Sequence, residues 1–227
     1  MKSTTTSKKI IFIIAFAVFG FIALQIPFNN IIGSKVSFTL FDFFGPIAGG
    51  FIGAIPGIIS VLIMQAINFF AHGAEVVDAG TIIRFFPMLF AVLYFSRKSK
   101  LNLILPIVAI VAFVIHPIGR QVWLYPMFWI IPIACYFLRE KSLVAKSLGT
   151  TFTAHAVGST LWLYVFNLPV EVWISLIPIV IMERAMFTFG IAGTYVVTNN
   201  VLKFLVERKI VSANFLVDQK YAWKWIK

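Results

Sequence analysis

Acidic side chains are scarce in this chain, with 8 Asp and Glu among 227 residues against 19 Lys and Arg. Charged residues total only 12%, where a soluble domain carries about 25%. The single Cys135 lies in an apolar run and excludes a disulfide within the chain. No GxxxxGK[ST] run is present, which excludes ATP hydrolysis by that route, and no HExxH is present. His155-Ala156-Val157-Gly158-Ser159 is not a GxSxG nucleophile elbow, and aspartate-rich pairs that would hold a metal–diphosphate are missing. The histidines His72, His116 and His155 fall on different segments. The expectation is therefore no complete catalytic set, no cofactor and no metal.

Hydrophobic residues make up 60% of the chain, and the mean hydropathy is +0.96. This composition predicts an all-α, polytopic integral membrane protein. The formal net charge of +11 would suit nucleic acid, but in a membrane protein the position of each cation is read first. Apolar segments run over 10–28, 38–70, 81–96, 101–118, 122–138, 148–166 and 172–204. Lys2, Lys8 and Lys9 precede the first of them, which reads as a retained helix because more apolar segments follow at once. Arg97, Lys98 and Lys100, then Arg139, Lys141 and Lys146, then Lys203, Arg208 and Lys209 form three further basic clusters. Cytoplasmic loops collect Lys and Arg, so all four clusters belong on one side with both termini. This requires 38–70 to enter the membrane and return, breaking near Ile55-Pro56-Gly57. About six to eight transmembrane helices result. They form one domain over 1–213, followed by a basic, aromatic cytoplasmic tail over 214–227. The loop from His72 to Asp78 falls on the outer side. No nucleic-acid partner is expected; the lipid bilayer is.

Within 38–70, Gly45, Gly49, Gly53 and Gly57 recur at every fourth residue. On a helix they form one nearly bare stripe that lets another backbone approach closely. Asp42 stands just ahead of the stripe.

The same topology assigns a depth to each polar residue. Asp42, Arg84, His116 and Arg120 lie toward the outer side, with His155 and Glu183-Arg184 nearer the midplane. Charges in lipid cost at least ~2.5–3.5 kcal/mol each at a helix centre, so they face a cavity or a partner. Trp123, Tyr125, Trp129, Trp162, Tyr164 and Trp173 gather at the same outer level. An outward cup follows, lined by arginines, acids, histidines and indoles. Its expected substrate-binding residues are Asp42, Arg84, His116, Arg120, Trp123, His155, Trp162 and Glu183. Glu183 and Arg184 are adjacent, so on a helix their side chains are expected to diverge. Glu183 would then pair with Arg84 or Arg120. The arginines point to an anionic or carbonyl-rich ligand, and the indoles to a ring.

The run Phe41-Asp42-Phe43-Phe44-Gly45-Pro46-Ile47-Ala48-Gly49-Gly50-Phe51-Ile52-Gly53 resembles the substrate-binding S components of energy-coupling factor (ECF) transporters. These often carry an acidic or aromatic lead-in, then Gly-Pro, then spaced glycines. The resemblance implies capture of a vitamin or similar micronutrient from outside the cell membrane. It also implies a membrane coupling subunit and an ATPase pair encoded elsewhere, in keeping with the lack of a nucleotide site. Two other readings compete. One is an intramembrane enzyme acting on lipid or polyprenyl substrates, with His155 and Glu183 as acid and base. The other is a membrane scaffold whose polar residues bind partner helices.

Overall fold

A computed structural model describes residues 2–30, 37–71, 79–210 and 216–224. It is mostly helical, in agreement with the all-α expectation. The helices are α1 (Lys2–Leu24), α2 (Phe41–Phe44), α3 (Ala48–Ile52), α4 (Ala54–Ala71), α5 (Ala79–Ser96) and α6 (Leu101–Ile115). After them come α7 (Pro117–Gln121), α8 (Ile130–Leu138), α9 (Leu143–Phe166) and α10 (Val170–Glu207). One departure from all-α is a small antiparallel ladder, β1 (Pro27–Asn30) with β2 (Ser37–Thr39), between α1 and α2. Two helices, α4 and α10, are long and apolar enough to cross a membrane. At 1.5 Å per residue, the 38 residues of α10 extend about 57 Å.

The chain reverses at Gly53. Its φ of 89° and ψ of 171° lie in a region open essentially to glycine alone. The sequence placed the break near Ile55-Pro56-Gly57; the structure places it at Gly53. Pro56 instead sits in the opening turn of α4, where a backbone N–H has no helical partner and its absence costs nothing. The two arms then touch backbone to backbone. A Cβ built on Gly57 would lie 2.9 Å from the Gly49 amide nitrogen. One built on Gly49 would lie 2.6 Å from the Val92 carbonyl oxygen of α5. The glycine stripe is thus a three-way contact among both arms of the hairpin and α5. Around it close Ile47, Ala48, Val61, Val92 and Phe95, all buried.

The other organising element is α9, which packs against α5, α6, α8 and α10. Gly149 admits the Tyr94 ring and Gly158 admits Pro87, so α5 and α9 come close at two levels. Hydroxyls inside this packing are satisfied by their own helix: Thr150 Oγ1 donates to Lys146 O at 2.8 Å and Thr153 Oγ1 to Gly149 O at 2.7 Å. A second core gathers Phe113, Trp129, Phe152, Leu163 and Trp173 between α6, α9 and α10.

Polarity is arranged inside out. Ile55, Ile59, Ile63 and Ile67 form one exposed stripe on α4. Ile104, Val108, Val111 and Ile115 expose an apolar face on α6. Meanwhile His155, Glu183 and Arg184 are buried. An exposed apolar surface of this extent marks contact with something other than water.

At the basic end, Arg139 acts as a cap for α5. Its guanidinium donates to the carbonyls of Tyr94, Phe95 and Arg97, three acceptors at the end of that helix. The described part of the expected tail is anchored. Asn199 donates to Asp218 O at 2.9 Å and accepts from Asp218 N at 2.7 Å. Asn200 repeats the pattern with Tyr221 O and Trp223 N, and Tyr195 donates to the Asp218 carboxylate at 2.9 Å. Residues 72–78, placed on the outer side by the sequence, lie outside the described residues, as do 225–227.

Two glycines with open space around them, Gly53 and Gly193, should respond differently to substitution. Gly53→Ala should destabilise through its backbone conformation by about 1–3 kcal/mol, although nothing lies within 4 Å of the added methyl. Gly193 also has open space, but within α10, so Gly193→Ala should be neutral or stabilising. Thermal unfolding in detergent separates the two; a Gly53→Ala protein as stable as wild type contradicts the assigned turn.

Candidate functional site

A cavity of ≈ 420 Å³ opens where α2, α4, α5, α9 and α10 converge. Each helix turns one periodic stripe toward it. From α9 come His155, Gly158, Ser159 and Trp162; from α10, Trp173, Leu176, Val180, Glu183 and Arg184. Gln65, Asn68 and Phe69 line it from α4, and Arg84, Pro87 and Met88 from α5. These spacings of three and four are the inner faces of helices. The hairpin turn at Gly53 is what brings Asp42 of α2 and Asn68 of α4 to the same cavity.

Five of the eight residues named from sequence line the cavity: Asp42, Arg84, His155, Trp162 and Glu183. His116, Arg120 and Trp123 are not among the lining residues. His116 instead caps α7, its Nδ1 accepting from Ile118 N at 3.3 Å, and its ring packs on Tyr164. Arg120 and Trp123 are exposed. The physical reason is the 3₁₀ turn Tyr125–Trp129, which tips inward at Tyr125 and Trp129 and leaves Trp123 outside. Of the aromatic residues in this stretch, Tyr125 is the one that reaches the cavity.

Tyr125 and Trp129 belong to a hydrogen-bonded chain built on His155. Trp129 Nε1 donates to His155 Nδ1 at 3.0 Å. His155 Nε2 and Tyr125 Oη lie 3.0 Å apart. Tyr125 Oη is in turn 3.2 Å from Ser159 Oγ. An indole nitrogen can only donate, so Nδ1 accepts and the ring proton sits on Nε2. The imidazole is neutral and both of its nitrogens are engaged by the protein.

Glu183 and Arg184 contradict the expectation that neighbours on a helix diverge. Arg184 Nη2 lies 3.3 Å from Glu183 Oε2, with both side chains buried. A long guanidinium can fold back across one residue, and inside an apolar body an unpaired charge costs far more than the bend. The guanidinium also rests over the Phe187 ring at 4.4 Å and donates to Thr151 Oγ1 at 3.3 Å. Its Nε is buried with no hydrogen-bond partner among the described residues, as is Gln65 Oε1. Gln65 Nε2 meanwhile donates to Arg84 O at 3.3 Å. On the hairpin, Asp42 Oδ2 accepts from Thr39 N at 2.8 Å, which fixes the carboxylate at the head of α2.

Gln65, Asn68, Tyr125, Ser159, Trp173 and Arg184 also line the cavity and were not among the eight binding residues named from sequence. The signal for Ser159 was present, since it stands four residues after His155 and three before Trp162 on one face of α9. Tyr125 carried no such signal, because it sits in a 3₁₀ turn rather than on a regular helix.

No family model matches the chain, and no solved structure matches it. It is similar to an uncharacterized protein of Methanocaldococcus jannaschii, 26% identical over 203 residues, spanning 80% of this chain and 68% of that protein.

Breaking the buried ion pair from one side should be costly. Arg184→Met leaves the Glu183 carboxylate without its guanidinium, at an expected cost of about 3–5 kcal/mol. Adding Glu183→Gln to the same chain should recover part of that loss. Unfolding measurements on the two singles and the double provide the cycle; strictly additive effects contradict a direct pair.

Proposed function

We propose that this chain is a multi-pass membrane protein that binds a small organic molecule in the ≈ 420 Å³ cavity. In this reading it is the binding subunit of a micronutrient uptake system. Movement of the ligand into the cell then depends on a separate membrane coupling subunit and its ATPase pair. The observation that carries the reading is polarity. Two carboxylates, two guanidiniums and two indoles face one cavity inside a body whose surface is largely aliphatic. Charges are retained in such a place when they meet a ligand or one another. The volume falls in the range of about 300–1,000 Å³ usual for small-molecule sites.

The resemblance of the Asp42–Gly53 run to ECF S components supports the same reading, and the structure gives that run a purpose. Its glycines close the hairpin, and the hairpin holds Asp42 at the cavity. The enzymatic alternative is less favoured, because His155 is bonded at both nitrogens to Trp129 and Tyr125 and contacts no open acid or base among the described residues. Glu183 is likewise tied to Arg184.

Gentle detergent purification followed by mass spectrometry of released small molecules and of copurifying proteins tests this function. The expected result is a bound organic molecule together with an ATPase pair and a membrane partner. Trp162→Ala should lower ligand occupancy at least about 10-fold, as removal of a stacking wall does. Arg120→Ala, outside the cavity, should leave it unchanged. Repeated absence of both ligand and ATPase refutes the uptake reading.

A further inference from the structure

The cavity wall has a direction of hydrogen bonding. On the hairpin side, Asp42 offers a carboxylate acceptor. On the α9–α10 side, the donor comes from the hydroxyl pair at the end of the His155 chain. With the ring proton on Nε2, Tyr125 Oη accepts from His155. The Tyr125 and Ser159 hydroxyls share one of their two hydrogens, and the other is left for the cavity that both residues line, so the pair acts as a donor.

Charge gives a second restriction. Asp42 and Glu183 balance Arg84 and Arg184 across the lining, and His155 is neutral. A net charge on the ligand would enter a balanced, low-dielectric site without a counter-charge, at high cost. The walls Phe38, Phe85, Trp162 and Trp173 are flat and apolar and favour a planar ring system.

We infer that the cavity takes a flat, net-neutral heterocycle, with N–H donors toward Asp42 and a carbonyl acceptor toward the Tyr125–Ser159 hydroxyl pair. This rests on the proposed binding function and replaces the anionic ligand that the arginines alone suggested. Arg184 is already neutralised by Glu183.

Isothermal titration of the full chain in detergent tests it with three probes on one ring: quinazoline-2,4-dione, its 1,3-dimethyl derivative and its 7-carboxylate. The parent dione should bind saturably. The dimethyl compound lacks N–H donors and the carboxylate carries net charge; each should bind at least about 10-fold more weakly. Ser159→Ala should weaken the parent about 5- to 10-fold, with an unfolding temperature near wild type showing that the fold is intact. Equal or tighter binding of either analogue overturns the inference, as does no saturable heat from the dione up to about 1 mM. The probes need no coupling partner, so the two claims fail separately. Carboxylate preference with a copurifying ATPase retains uptake and rejects the ligand class; dione binding with no ATPase does the reverse.

Discussion

Everything in this fold depends on how closely three backbones approach at Gly49, Gly57 and Val92. A Cβ at either glycine would collide with main-chain atoms of its neighbour, and main chain cannot rotate away as a side chain can. The turn at Gly53 makes that contact geometrically possible by sending α4 back along α3. In the membrane setting proposed above, apolar burial gives little drive between helices, so close packing of small residues would supply much of the cohesion. The hairpin thereby acts as a rigid wedge against α5. Its far end carries Asp42 and Asn68 to one level, and a cavity forms between that end and the inner faces of α9 and α10.

The cavity is polar because its polar groups are mutually satisfied before any ligand arrives. Glu183 holds Arg184, Trp129 orients His155, and His155 orients Tyr125. What remains open is small and specific: the Asp42 carboxylate and one hydroxyl hydrogen of the Tyr125–Ser159 pair. Such a site recognises by direction and neutrality rather than by strong net charge. Preorganisation of this kind lowers the ordering cost of binding. At the opposite end, the Asn199–Asn200 pair and Arg139 saturate backbone groups that a loosely held tail or helix end would leave exposed. The molecule is tied at its basic end and open at its cavity end.

Much of this was legible in the residues. The apolar body, the helical class, the return of 38–70 and the clustering of Asp42, Arg84, His155, Trp162 and Glu183 all followed from hydropathy, charge and spacing. The turn was read three residues late because Pro56 is a stronger breaker on paper than Gly53. A proline in the first turn of a helix breaks nothing, whereas a glycine at φ 89° does. His116, Arg120 and Trp123 were placed in the site on depth alone, which fixes a level along the membrane normal but not a direction around it. The irregular stretch from α7 through the 3₁₀ turn set that direction. The Glu183–Arg184 pair was missed because helix-surface spacing rules assume water is available to each side chain, and here it is not.

The central claim is that the cavity between the hairpin, α9 and α10 is the ligand site. Leu176 lines it from α10, and a Trp at that position would extend a large ring into the space. Native mass spectrometry of the intact protein, ejected from detergent, compares the masses of wild type and Leu176→Trp. Wild type should carry a non-covalent organic adduct that the filled variant lacks. An adduct retained in Leu176→Trp, or none in wild type across repeated preparations, contradicts it.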